Sequence, residues 1–240
     1  MSVAGQPAGT GLSRVDALAA LAAPTITDYC RASAQYVREA TAVGANAGKS
    51  AQLRLSNGLA RALVADLRAA GLTLDGAIAG ERTVGGGLRS VKADVSEITE
   101  TDGLRLAVEI KPVHLAVGRA IWNRFGDIRT FAVNVHLKFP FAVVGGVLTM
   151  PTTERTRSGS DEDWKPTTHL IERAVGRFVR AGGRRTEGDA GHLIEAIAVV
   201  VFDRQTGLLE PDLPPASSGL RWPEFVSTIH DAYLARFGEP

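Results

Sequence analysis

The 240-residue chain reads as an α/β domain, a mixed β-sheet flanked by helices on both faces behind a mainly helical N-terminal region. Three observations predict this. Leu55, Leu59, Leu63 and Leu67 recur every fourth residue, the stripe of an amphipathic helix. Two neighbouring stretches between Val91 and Lys111 alternate apolar and polar residues, as strands do. Two later runs, "FAVVGGVLTM" and "HLIEAIAVVVF", are mostly apolar and lie between helical segments, which suits buried strands covered on both sides.

Taken in order, residues 1–12 are rich in Gly, Ala, Ser and Pro and are expected to form a disordered end. Ser13 to about Gly44 reads as helix interrupted at Pro24, with Asp28 as N-cap. A small-residue loop, "GANAGKS", precedes the leucine-striped helix of about Ala51 to Ala70, which Gly71 closes. In the first strand Val91, Ala93 and Val95 alternate with Lys92, Asp94 and Ser96. "TDG" is a hairpin-type turn, and Leu104, Leu106, Val108 and Ile110 mark the second strand. Pro112 ends it and is acceptable in the first turn of a helix. Val117, Ile121, Phe125, Ile128, Ala132 and Val135 mark that long helix, which Pro140 stops. The polar segment "TTERTRSGSDEDW" predicts an exposed loop, Thr167 to Ala181 a helix, and Pro223 to Phe237 the last helix. The expected organisation is one domain over 13–240: a mainly helical N-terminal part (13–82), a catalytic core that bears the sheet (83–203) and a C-terminal loop and helix (204–240).

The bulk composition excludes little. Apolar content of 45%, charged content of 22% and a net charge of +1 describe an ordinary globular protein without a global basic signal. Arginine outnumbers lysine 22 to 5, which favours bidentate contacts to phosphate and guanine or simply reflects a GC-rich genome. A single cysteine, Cys30, fits a reducing cytoplasm, and no apolar run approaches a membrane span. The scattered histidines have no zinc spacing, and a Gly-x-Ser-x-Gly elbow is absent. "GANAGKS" has three residues, not four, between Gly44 and Gly48, so it does not make a phosphate-wrapping loop. "VGGGLRS" leads into a strand and is expected to be a tight turn.

The hairpin carries the chemistry. Glu109 and Lys111, two apart in "LAVEIKP", point to one face of the strand, and Asp94 falls opposite Lys111 or Glu109 according to the turn register. Two neighbouring carboxylates repel unless a cation joins them, and hard oxygen donors suit Mg²⁺. Lys111 is then placed to orient a water or stabilise charge on a phosphate. The helix that follows would aim its N-terminus at the same spot.

Asp94, a gap of fourteen residues, then Glu109-Ile110-Lys111 resembles the motif of the PD-(D/E)xK nucleases, the restriction-endonuclease-like superfamily, across about Gly85 to Phe202. Ala93 stands where the motif often has proline. The resemblance implies a restriction-endonuclease-like fold and a Mg²⁺-dependent type II restriction endonuclease acting on double-stranded DNA. It makes Asp94 and Glu109 metal ligands, with the Ile110 carbonyl as a further ligand, and Lys111 the catalytic lysine. Some members carry a helical Glu before the hairpin, for which Glu39 is a candidate. Duplex cutting is met most simply by a homodimer. A repair or structure-specific nuclease of the same superfamily, or a non-catalytic DNA-binding module, are the alternatives.

Other residues are candidates for DNA contact, each with an ordinary surface role as the competing reading. Lys49, Arg54, Asn57 and Arg61 would line a loop and helix against phosphates. Arg119, Asn123 and Arg124 would touch the backbone or a dimer partner. Arg155 and Arg157 would reach base edges, although Asp161, Glu162 and Asp163 nearby suit a self-neutralised loop. His114, just past Lys111, is expected at the rim of the site or as a capping or surface residue.

Overall fold

The computed structural model describes residues 12–42, 44–155 and 164–238. The expected frayed end therefore lies outside the described residues except at Leu12, which is buried. A five-stranded mixed sheet has the order β1 (Ala77–Val84), β2 (Val91–Thr99), β3 (Gly103–Pro112), β4 (Val143–Pro151) and β7 (Ala196–Phe202). β1, β2 and β3 run antiparallel; β3, β4 and β7 run parallel. A short ribbon, β5 (Thr153–Arg155) with β6 (Trp164–Pro166), takes in both described ends of the segment expected to be an exposed loop.

Among the described residues six α-helices flank the sheet. α1 (Ser13–Ala20), α2 (Ile26–Glu39), α3 (Ala45–Ala69) and α6 (Trp222–Phe237) share one apolar core with Val95, Leu106, Val108 and Ile110. α4 (Val117–Lys138) and α5 (Thr168–Ala181) share the other with Val144, Leu148, Ile197 and Val199. β7 divides residue by residue: Ala196, Ala198 and Val200 face the first core, Ile197, Val199 and Val201 the second. Gly145 and Gly146 let both layers close on β4. A Cβ on Gly146 would lie 2.5 Å from Ile128 Cγ2, and one on Gly145 within 3.1 Å of Phe225 and Ile229.

Several boundaries differ from the sequence expectation. The segment Ala77–Val84 is a strand absent from the expected order of elements, and it spans the expected boundary at residues 82 and 83. "GANAGKS" is the opening of α3, which starts after Gly44. Asp28 is not the N-cap of α2: Thr25 is, and Asp28 completes a reciprocal capping box with it. Pro112 is the last residue of β3, opposite Thr149 of β4, and α4 begins only at Val117. Leu55, Leu59, Leu63 and Leu67 are fully buried as expected, and Gly71 takes a φ of +108° behind α3. Among the described residues no helix is long and apolar enough to cross a membrane.

Candidate functional site

The β2–β3 ladder determines what meets at the sheet centre. The pairs Thr99/Gly103 and Ile98/Leu104 give way to Glu97/Leu106, so Arg105 is an extra residue in β3. This bulge sets the later pairing, Ser96 with Ala107 and Val95 with Val108. Carried on by one pair, it sets Asp94 opposite Glu109, one of the two registers the sequence allowed.

The ladder ends there, and a side chain continues it. Asp94 Oδ2 accepts the backbone N–H of Ile110 at 2.7 Å. A strand residue directs its N–H and C=O to the same edge, so the Ile110 carbonyl also faces the gap beside Asp94. Beyond this point β3 pairs only with β4. Glu109 and Lys111 share the adjacent face, and Lys111 Nζ is ion-paired with Glu109 Oε1.

Lys111 stands between two openings. One, of about 360 Å³, lies where the first turns of α3 and α4 approach the end of β3; Asp94, Lys111, Lys49, Asn57, Glu81 and Arg124 are in its wall. The other, also about 360 Å³, is bounded by Glu109, Lys111, Asp127, Arg89 and Lys92. The glycine-rich loop before β2 shapes this second opening. Asn134 Oδ1 accepts from Leu88 N at 3.2 Å and Arg89 N at 3.0 Å, while Asn134 O accepts from Gly87 N at 2.8 Å. The approach is so close that a Cβ on Gly87 would lie 2.4 Å from Leu137 Cβ.

The electrostatics are unbalanced. Burial pushes the Glu109 carboxyl up to about 7, against the pull of Lys111, and the neighbouring Asp94 and Asp127 push it the same way. Burial also raises Asp94, outweighing the Ile110 N–H and Lys111. Glu81 of β1 adds negative charge beside Asp94. It sits where the β1–β2 register slips, between the Ala79/Val95 and Arg82/Ala93 pairs, and is ion-paired with Lys92 at 2.6 Å. Sequence reasoning missed Glu81 because its strand was not recognised. Among the described residues no three Asp, Glu, His or Cys side chains already form a metal cluster. Asp94, Glu109 and the Ile110 carbonyl are nonetheless hard oxygen donors close to one another, the kind of donor that suits Mg²⁺.

The remaining candidates separate clearly. Lys49, Asn57 and Arg124 reach the cavity, Arg124 while paired with Asp127 at 3.0 Å. Arg54 is instead ion-paired with Asp16 of α1. Arg61 is turned inward, donating to the Leu18 carbonyl at 2.9 Å and so clasping α1 to α3. Arg119 and Asn123 are exposed and outside the cavity wall. Arg155 donates to Thr41 Oγ1 at 3.0 Å, and Arg157 lies outside the described residues. Glu39 accepts from Gln35 at 3.3 Å and does not line the cavity. The N-terminus of α4 does not offer itself to a phosphate as expected, because Glu154 accepts the Gly118 N–H at 3.0 Å. His114 borders the cavity but is buried, its Nε2 lying 3.2 Å from Ser33 Oγ and 3.3 Å from the Tyr29 hydroxyl.

Comparison with protein-family models, curated proteins and solved structures finds no match to this chain.

Proposed function

We propose that the chain is a Mg²⁺-dependent endonuclease of the PD-(D/E)xK type that hydrolyses phosphodiester bonds of double-stranded DNA in the manner of a type II restriction endonuclease. One observation carries the reading: Asp94, Glu109 and Lys111 come together where β3 leaves β2, with Asp94 and Lys111 on one open cavity of about 360 Å³ and Glu109 and Lys111 on a second of the same size. The antiparallel β1–β2–β3 arrangement, continued in parallel through β4 and β7 with α4 crossing between β3 and β4, supports a restriction-endonuclease-like fold.

Asp94, Glu109 and the Ile110 carbonyl would hold Mg²⁺. When bound, the cation polarises a phosphodiester and lowers the pKa of a bound water. The protein's own contribution is positional. The Ile110 N–H fixes Asp94, and β4 holds the Glu109-Ile110-Lys111 backbone in register. Lys111, a point charge on a flexible stem, exchanges Glu109 for a phosphate oxygen and stabilises the charge that grows there. Lys49 and Arg124 draw the duplex backbone toward the cavity. Two copies related by a two-fold axis would cut both strands.

The test is digestion of supercoiled plasmid by purified protein with Mg²⁺ or with EDTA, beside the Asp94→Asn variant. Discrete fragments that need both Mg²⁺ and Asp94 support the reading. Nicking or end-trimming points to a repair or structure-specific nuclease. DNA binding indifferent to Mg²⁺, with no cutting of any duplex, overturns the reading in favour of a binding module.

A further inference from the structure

Around α4 from the cavity lies a second polar surface, built from cations and aromatic rings. Arg173, Arg177 and Arg180 follow at i, i+4 and i+7 on α5 and share a face. The Arg177 guanidinium sits 4.0 Å from the Trp122 ring centroid, Arg173 4.9 Å from the same ring, and Arg129 5.7 Å from that of Phe125. Phe125, Arg129, Arg177, Arg180 and His192 border an open depression of about 380 Å³. On α4, Trp122, Phe125 and Arg129 lie on one flank of the buried stripe of Ile121, Ile128 and Ala132. Arg124 and Asp127, which reach the two openings described above, lie on the other flank.

Among the described residues no carboxylate is ion-paired with Arg129, Arg173, Arg177 or Arg180. Guanidinium groups gathered without counter-charges repel one another, and an anion relieves that repulsion. Ring faces hold the planar cations by their quadrupoles, which leaves the N–H forks to match phosphate oxygens. The ridge from Arg173 to Arg180 is about 10 Å long at 1.5 Å per residue. That exceeds one phosphate group and suits a few successive phosphates of a strand, spaced roughly 3.4 Å along the duplex axis. The rings are covered by arginine and do not offer themselves to bases.

We propose that this α4–α5 surface binds the phosphate backbone of duplex DNA outside the segment that enters the cavity, without reading sequence. The inference rests on the nuclease reading only for the identity of the polyanion.

The experiment is titration of a fluorescein-labelled duplex with full-length protein over a salt series, in EDTA so that the duplex stays intact. Wild type is compared with Arg129→Gln/Arg173→Gln/Arg180→Gln, three exposed positions, and with Lys at the same three. The Gln set is expected to weaken binding about tenfold or more and to lower the slope of log affinity against log salt by about 2 to 3, at roughly 0.9 per phosphate contact. The Lys set is expected to keep the slope. Unchanged affinity and slope in the Gln set overturns the proposal. So does Arg-dependent binding of inorganic phosphate or ATP with no effect of these arginines on duplex affinity. Failure of the nuclease reading appears elsewhere, as absence of Mg²⁺-dependent cutting by wild type, which leaves this titration interpretable.

Discussion

Asp94 and Ile110 form a structural joint at which the proposed metal would also bind: the Asp94 carboxylate takes the Ile110 N–H at 2.7 Å where the β2–β3 ladder gives out. The two duties separate by substitution. Asparagine keeps an acceptor for Ile110 but loses the charge that burial disfavours. Asp94→Asn is therefore expected to unfold in urea at or above the wild-type midpoint without metal, and to lose Mg²⁺-dependent cutting. Asp94→Ala, which also orphans the N–H, is expected to lose about 1–3 kcal/mol. Equal destabilisation by both substitutions would remove the joint from the explanation.

Glu109 makes the metal reading pH-dependent. Its folded pKa, pushed up to about 7 mainly by burial, lies above its ordinary value. The native state thus binds more protons than the unfolded chain between about 4.5 and 7, and this group's contribution to stability falls as pH rises through that window. A cation that requires the ionised form gains from the same rise. Mg²⁺ is expected to raise the thermal midpoint more at pH 8 than at pH 5.5, and Glu109→Gln to erase the difference. Calorimetry at the two pH values with equal Mg²⁺ decides it; identical shifts count against Glu109 as a ligand.

Lys111 is ion-paired with Glu109, the contact it would exchange for a phosphate under the nuclease reading. Lys111→Ala is expected to slow cutting about 10²–10³-fold, the usual cost of one preorganised donor, with duplex affinity nearly unchanged. Single-turnover rates beside equilibrium binding check the split. A loss carried entirely in affinity would make Lys111 a docking residue.

These residues were legible in the sequence because period-two alternation forces Glu109 and Lys111 onto one face, whatever the rest of the chain does. The leucine stripe of α3 was legible for a similar reason, since helical spacing and full burial coincide at Leu55, Leu59, Leu63 and Leu67. β1 was not. "AIAGERTV" is a half-exposed edge strand with a positive-φ glycine at Gly80 and a register slip, so its pattern is polar and broken. Missing it hid Glu81. The opening of α3 carries small residues instead of a stripe, and Pro112 is paired in β3 with Thr149 of β4. Arg54 and Arg61 resemble phosphate-binding cations until α1 folds across them and takes their donors. The reassigned arginines turn on partners distant in sequence, which local pattern does not encode.

His114 predicts an acid limb in stability. Burial pushes its imidazole down to about 4, and it packs among Tyr36, Phe202 and the Tyr29 and Ser33 hydroxyls as the neutral ring. The unfolded chain binds this proton near pH 6.5, the folded protein only near 4. Its neutral form therefore supports the fold fully above pH 6.5, and that support falls away as pH drops toward 4, by about 3 kcal/mol in all at 1.36 kcal/mol per pKa unit. His114→Phe keeps the aromatic contacts and leaves the Tyr29 hydroxyl its 2.6 Å bond to Thr149. Urea unfolding from pH 7 to 4 is expected to be flatter in that variant than in wild type; parallel curves would assign the acid limb to carboxylates alone.

Glu195 tests whether the far end of the sheet is independent of the site. It precedes β7, at the end of the parallel strands opposite Lys111, and is almost fully buried. Its carboxylate takes Arg236 Nη2 at 2.8 Å, Arg184 Nε at 3.1 Å, His136 Nε2 at 3.1 Å and the Val144 N–H at 3.0 Å. Burial pushes its pKa up, but His136 and Arg236 overcome that and hold it below the usual carboxylate range. The group ties α6, the end of α4 and the loop before β7 to the sheet. Removing the carboxylate strands Arg184 and Arg236 in a buried setting, where an orphaned charge costs about 3–5 kcal/mol. Glu195→Ala is expected to lower the thermal midpoint steeply. Glu195→Gln, which keeps an acceptor without the charge, should fall between it and wild type. At a temperature where both variants remain folded, the cutting rate is expected to match wild type, because no residue of this network borders the Asp94 cavity. A folded Glu195→Gln protein with a depressed rate would show that strain at this end travels along β4 to Lys111, and the two ends of the sheet would have to be treated as one unit.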